Sequence, residues 1–168
     1  MKVFKDSISL DLWKKCLDDV NSNLSDSWKV STFAWPRYAT LGISGNCLFR
    51  KVNPELRLEI LEEIKDILPY CNKISMNYHV TLPNGGIALH DDSNHKFGAT
   101  IYLNKEWHIN HGGLFVWQEE QEDGSSIMRA LVPECRSLVL NDIHEGHVVT
   151  LVSNYLPEPR ISIQIFGS

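Results

Sequence analysis

No apolar run in the 168-residue chain reaches membrane-spanning length, so nothing in it reads as a transmembrane helix. Its first residues, MKVFKDSISLDLW, hold no continuous apolar stretch and no small-residue cleavage site, which speaks against a secretory leader. A basic excess is missing as well. Sixteen Lys and Arg stand against 21 Asp and Glu, and the formal net charge of −5 argues against a protein that tracks nucleic-acid phosphates. Cysteine is sparse: Cys16, Cys47, Cys71 and Cys135 lie far apart, without CxxC or CxxH spacing. Scattered thiols suit a reducing compartment better than a disulfide framework, so a soluble, cytoplasmic protein with no membrane association is expected. Repeats, low-complexity tracts and linkers are absent too, and residues 1–168 read as one domain.

What is present is ordinary globular material, 43% hydrophobic and 22% charged, in a chain long enough to bury a core. The segment DSISLDLWKKCLDDV (6–20) places Ile8, Leu12, Trp13, Cys16 and Val20 near helical spacing. NPELRLEILEEIKDIL (53–68) is the clearest helix: Asn53 can cap it, Pro54 fits its first turn, and Glu55 complements the positive end of the dipole. Its apolar stripe is Leu56, Ile60, Leu61, Ile64, Ile67 and Leu68, with Leu58 off the stripe and Pro69 as the stop. From residue 73 the pattern changes. KISMNYHV, GIALHDD, GATIYLN, GGLFVWQ, SIMRALV, RSLVLND, HVVTLV and RISIQIF are short β-rich segments separated by Gly, Pro, Asn and Asp. Eight such segments after two helices predict a mainly β fold, a barrel or jelly roll buttressed on one side by helices. Residues 1–72 would then be a helical and extended support for a β core over 73–168.

Within that core, His90 and Asp92 stand two apart on one predicted strand, so their side chains leave the same face and Asp91 points away. The late segment NDIHEGHVVTLV offers His144 and His147 as a third group. Two histidines and one carboxylate, with positions left open, suit non-haem iron(II) and its reaction with dioxygen, although zinc accepts the same ligand types. His79, His95, His108 and His111 read as surface or loop residues, with a substrate contact conceivable for His95. Gly112 and Gly113 suggest a turn or a close backbone approach. Trp28, Trp35, Trp107 and Trp117 read as core aromatics, and QEEQED (118–123) as a solvated hairpin loop.

The order of these pieces resembles one family over residues 74–166: HxD, then TIYLNKEW, GGLFVW, HVVTLV and PRISIQIF. They look like the iron(II)- and 2-oxoglutarate-dependent dioxygenases, nearest to the prolyl-hydroxylase-like branch. The resemblance implies a double-stranded β-helix and iron(II) held by His90, Asp92 and His147. His147 is preferred to His144 because the HxVxxV pattern begins there. It also implies that Arg160 grips the far carboxylate of 2-oxoglutarate, since a guanidinium binds a carboxylate through two parallel bonds. Tyr102 of IYLN matches a tyrosine that contacts the same carboxylate, and Tyr78 of MNYHV matches a strand position near the co-substrate. The activity implied is hydroxylation of an unactivated C–H bond in a prolyl peptide or a free amino acid, with release of succinate and carbon dioxide and ascorbate as an optional reductant. Asp92 favours hydroxylation over halogenation, which needs that position open. The 13-position step from His147 to Arg160 is longer than is common in the family, and the insert SNYLPEP threatens the register of Arg160. Two other classes remain open at this point: a non-catalytic metal- or carboxylate-binding sensor barrel, and a cupin-like metalloenzyme without a keto-acid co-substrate.

Overall fold

A computed structural model describes residues 1–22, 27–32, 46–141, 145–156 and 158–168. Trp35 and His144, both named above, and Pro157 of the SNYLPEP insert lie outside the described residues.

Helix α1 (Leu10–Asn21) begins four residues later than its apolar spacing suggests, because the Ser9 side chain caps it by accepting the Leu12 N–H. Leu12, Trp13, Cys16 and Val20 are buried on one stripe, as the spacing predicts, and Ile8 is buried just ahead of them. Helix α2 (Pro54–Ile64) starts where Asn53 Oδ1 accepts the Glu55 N–H at 2.9 Å. It ends four residues before the expected stop. The N–H groups of Ile67 and Leu68 both donate to the Ile64 carbonyl, in a turn that brings the chain to Pro69. Ile60 and Ile64 are fully buried, Leu56, Leu61, Ile67 and Leu68 pack against the same core, and Leu58 is exposed.

The strands are β1 (Lys2–Phe4), β2 (Lys29–Thr32), β3 (Asn46–Lys51), β4 (Ile74–Thr81), β5 (Ile87–His90), β6 (Phe97–Tyr102), β7 (Phe115–Glu120), β8 (Ser126–Leu131), β9 (Leu138–Asn141), β10 (His147–Val149) and β11 (Arg160–Gly167). All eight predicted β segments are strands, β4 to β11 in order. They form two antiparallel sheets, a larger one ordered β1-β9-β6-β11-β4-β3-β2 and a smaller one ordered β5-β10-β7-β8. This is the jelly-roll, double-stranded β-helix architecture with buttressing helices. The N-terminal segment contributes more than helices: β1 joins one edge of the larger sheet, and β3 with β2 extends the other.

Alternation divides the larger sheet into two chemistries. Met76, Tyr78 and Val80 of β4, Phe97, Ala99 and Ile101 of β6, and Ile163 and Ile165 of β11 face α1 and α2 in the main core. His79, Thr81, Thr100, Ser162 and Gln164 face the smaller sheet across a cavity. A smaller apolar cluster of Tyr102, Phe115, Val139 and Val149 joins the sheets beside that cavity. The four cysteines are free thiols, and among the described residues no helix is long and apolar enough to cross a membrane.

Truncating Ile60, which has no exposed surface, removes a plug between α2 and the larger sheet, whereas Leu58 is 69% exposed. Ile60→Ala is expected to lower unfolding stability by about 2–5 kcal/mol and Leu58→Ala by less than about 0.5 kcal/mol, compared by urea denaturation at equal m-value.

Candidate metal and carboxylate site

His147 opens β10 and lies directly across from His90, the last residue of β5. The next matched pair is Val149 with Ile87, so β5 carries one residue more than its partner between the two pairs. That bulge turns both Ile87 and His90 into the cavity although they are three apart, and leaves Leu89 exposed outside. Asp92 is not on the strand, as the two-residue spacing suggested. The strand ends at His90, and Asp92 stands in the following turn, where its carbonyl accepts the His95 N–H at 2.9 Å. Asp91 is exposed on the rim of the cavity.

Asp92 and His147 are 8% and 3% exposed. Asp92 Oδ1 is 3.9 Å from His90 Nε2, and its Oδ2 is 3.6 Å from His147 Nε2. Ligand atoms of all three side chains lie within 4.8 Å of one another, a set that can hold a metal ion. Both imidazoles are fixed in the same way. His90 Nδ1 lies 2.8 Å from the Ala88 carbonyl and His147 Nδ1 lies 3.0 Å from the Glu145 carbonyl, each two residues upstream. A carbonyl only accepts, so each Nδ1 carries the proton and each Nε2 turns a lone pair toward Asp92. Burial and the neighbouring His147 hold the His90 imidazole below its ordinary pKa, in favour of this neutral form.

Two residues outside the motif pattern shape the cluster. Asn141, 2% exposed at the end of β9, donates from Nδ2 toward Asp92 Oδ2 at 3.3 Å and His147 Nε2 at 3.4 Å. Gly98 of β6 makes room, since a Cβ there would lie 2.4 Å from Asp92 Oδ2. The only sequence signal for either was position: one is next to last in the RSLVLND segment and the other starts GATIYLN.

Arg160, the first residue of β11, is 3% exposed and lines the same cavity of about 240 Å³, opposite Thr81 of β4. The long connection before it therefore does not displace it. Its guanidinium carbon stands 5.0 Å from the ring centre of the fully buried Tyr102. Among the described residues Arg160 Nε and the Tyr102 hydroxyl are both buried without a hydrogen-bond partner, and Arg160 has no ion pair. Burial pushes the Tyr102 phenol up while Arg160 opposes it, and the raised pKa keeps the group a neutral donor. A buried cation and an orphaned hydroxyl in one cavity are costly by themselves and fit an incoming carboxylate. Gly113, at φ +60°, packs against the arginine stem, where a Cβ would lie 2.8 Å from Cδ. Together with Gly112 at φ +65°, it is the close approach that the glycine pair suggested.

Tyr78 is not at this site. On β4 the even-numbered residues face the helices, so Tyr78 is buried near Cys16 and Asp19 with the Arg50 guanidinium 5.3 Å from its ring centre. The strand's cavity residues are Thr81 and the neighbour of Tyr78, His79, which is half-buried rather than a surface or loop histidine. Burial and the nearby Arg160 lower the His79 pKa to about 4. His95 likewise lines the cavity, its ring stacked on Phe166 at 4.3 Å between centres. His108 and His111 remain in a short 3-10 turn away from the site, each accepting a backbone N–H at Nδ1.

Removing the amide that steadies two of the three clustered side chains tests the geometry directly. Asn141→Leu is expected to weaken manganese(II) binding by about 10- to 100-fold, and Gly98→Ala by at least as much, in calorimetric titrations of protein with unchanged circular dichroism.

The chain matches the model of the 2OG-Fe(II) oxygenase superfamily over residues 76–166. Curated proteins yield no match. Solved structures with the same fold include a Pseudomonas putida prolyl-4-hydroxylase, with a TM-score of 0.69 at 15% identity, covering 99% of this chain and 91% of that one. A prolyl hydroxylase from Trichoplax adhaerens, in complex with a hypoxia inducible factor oxygen degradation domain peptide fragment, gives a TM-score of 0.73 at 15% identity, covering 99% and 82%. An oxidoreductase of the 2OG-Fe(II) oxygenase family from Burkholderia pseudomallei gives 0.68 at 15% identity, covering 96% and 81%. With a family model spanning more than half of its residues and the fold of the prolyl hydroxylases, the chain belongs to the 2OG-Fe(II) oxygenase superfamily, dioxygenases that use iron(II) and 2-oxoglutarate.

Proposed function

We propose that His90, Asp92 and His147 hold iron(II), that Arg160 and Tyr102 receive the far carboxylate of 2-oxoglutarate, and that the enzyme hydroxylates a prolyl residue in a peptide or a free amino acid. The observation that carries this reading is the Arg160 guanidinium, without an ion pair among the described residues and buried in the same cavity as the three clustered ligands. A cupin-like metalloenzyme without a keto-acid co-substrate would have no use for it. The peptide bound by the Trichoplax adhaerens relative supports a prolyl substrate.

The chemistry supplied by an iron(II) centre with 2-oxoglutarate is oxidative decarboxylation to succinate and carbon dioxide, coupled to placing one oxygen atom of dioxygen in a C–H bond. The residues of this chain bind and orient. The carbonyls of Ala88 and Glu145 keep both Nε2 lone pairs aimed at one point, so little reorganisation accompanies metal binding. Arg160 offers two parallel N–H donors and Tyr102 an O–H donor, which fix the co-substrate's length between the metal and the β11 end of the cavity. Ile87, Phe115 and Val149 make the smaller-sheet wall apolar and keep water from the reacting atoms. His95 and Phe166 stand on the side of the cavity nearest Asp91 and Asn94, where a substrate chain could enter.

The test is succinate formation from 2-oxoglutarate by purified protein with iron(II), ascorbate and air, with and without prolyl peptides and free amino acids. Turnover is expected, and His90→Ala should abolish it. Arg160→Ala should weaken 2-oxoglutarate by about 2–5 kcal/mol, from roughly 30-fold to several thousand-fold, while leaving metal affinity intact. Metal binding without any 2-oxoglutarate binding would transfer the reading to the sensor or cupin-like class.

A further inference from the structure

Strand β11 delivers Arg160 at its first residue, after ten residues outside the named strands since the end of β10. On one side Arg160 pairs with Thr81 of β4. On the other the ladder to β6 runs from Gly167 and Phe97 only as far as Ser162 and Tyr102, and a last backbone bond joins the Leu103 N–H to the Ile161 carbonyl at 3.0 Å. The sheet thus stops one residue short of the arginine. Asn104, 3% exposed, fills the gap with its side chain. Its Oδ1 accepts the Ile161 N–H at 2.7 Å, and its Nδ2 donates to the Pro159 carbonyl at 2.9 Å.

One carboxamide therefore imitates a strand on both sides of Arg160, pinning the peptide groups before and after it. The root of that side chain is rigid as well. Leu103 is fully buried in the main core, and its carbonyl accepts the Trp13 Nε1–H of α1 at 2.8 Å. Helix α1, Leu103, Asn104 and the backbone at Arg160 form one unbroken series of contacts.

We propose that Asn104 is the positioning residue for Arg160, setting the direction of the guanidinium and hence the affinity for the far carboxylate of 2-oxoglutarate. This rests on the reading of Arg160 given above. Asparagine is required for its pairing of acceptor and donor at one length: aspartate keeps the acceptor for Ile161 but cannot donate to Pro159, and alanine loses both.

The measurement is 2-oxoglutarate affinity by calorimetry on manganese(II)-loaded protein without oxygen, for the parent, Asn104→Ala, Asn104→Asp, Arg160→Ala and the double variant Asn104→Ala/Arg160→Ala. Asn104→Ala is expected to bind 2-oxoglutarate at least tenfold more weakly, with Asn104→Asp between it and the parent and manganese affinity unchanged in both. In the Arg160→Ala background the Asn104→Ala change should add less than twofold, because the residue acts through the arginine. A folded Asn104→Ala protein that binds 2-oxoglutarate within twofold of the parent, while Arg160→Ala is weakened, overturns this inference alone. Equal losses in both backgrounds also overturn it, showing that Asn104 acts on packing. Undiminished binding by Arg160→Ala overturns the reading of the site and this inference with it. Should Asn104→Ala not fold, the same cycle with Asn104→Asp decides, and parent-like affinity there counts against the proposal.

Discussion

Two imidazoles, a carboxylate, a guanidinium, a phenol and a carboxamide are gathered between two sheets, all but His90 buried, and the rest of the fold answers that cost. Each of these groups would be destabilising in an apolar gap without partners. The larger sheet meets the demand by segregating its faces. Each strand of the larger sheet that borders the cavity gives its alternate residues to the main core, where α1 and α2 cover them. The apolar area that stabilises the chain is gathered on one side of the sheet, so that the other side can be polar. The helices are remote from the chemistry but supply the burial that makes a polar interior affordable.

Geometry inside the cavity is then set by backbone. Both histidines are tied by Nδ1 to a carbonyl two residues before them, a local arrangement that needs no further side chain. The bulge in β5 aims His90, the antiparallel pairing places His147 across from it, and the missing side chain of Gly98 admits Asp92. The Arg160 end is organised differently, from long range: Arg160 comes from the last strand, Tyr102 from β6, Gly113 from a turn between sheets and Asn104 from beyond β6. These contacts span many residues of sequence, which makes the Arg160 end more dependent on global packing than the histidine pair.

That difference explains what could be read in the sequence. The β segments and helix stripes were legible because alternation and 3.6-residue periodicity are local signals, and Ile60, Ile64, Leu12 and Cys16 fall where those periods put them. His90, Asp92 and His147 were legible as residue types in a recognisable order. The reason offered for two of them was nevertheless incomplete: strand alternation does not bring Asp92 to His90, because the strand ends and a turn does so. Tyr78 and His79 were exchanged for a related reason. The spacing of a strand says that neighbours point opposite ways but not which of them faces the cavity. β1, β2 and β3, at the two ends of the larger sheet, were not read from the sequence as separate strands.

Asn141 and Asn104 were silent in the sequence because an asparagine's role depends on where the backbone places its short amide. In each case the amide stands where regular structure gives out, one at the last residue of β9 and the other past the end of β6. Strand ends leave backbone donors and acceptors unpaired, and a carboxamide carries one of each kind of group at nearly peptide geometry. Asn104 uses both halves of its amide to continue a sheet that has stopped. Asn141 uses only its donor, toward Asp92 and His147, and among the described residues its buried Oδ1 has no partner. The amide that continues the sheet thus has a partner on both of its atoms, whereas the amide beside the ligand cluster has one only on its donor. The cavity's other end repeats this: among the described residues the Tyr102 hydroxyl and Arg160 Nε are buried without partners, so unpaired polar groups stand at both ends of the space where the two sheets face each other.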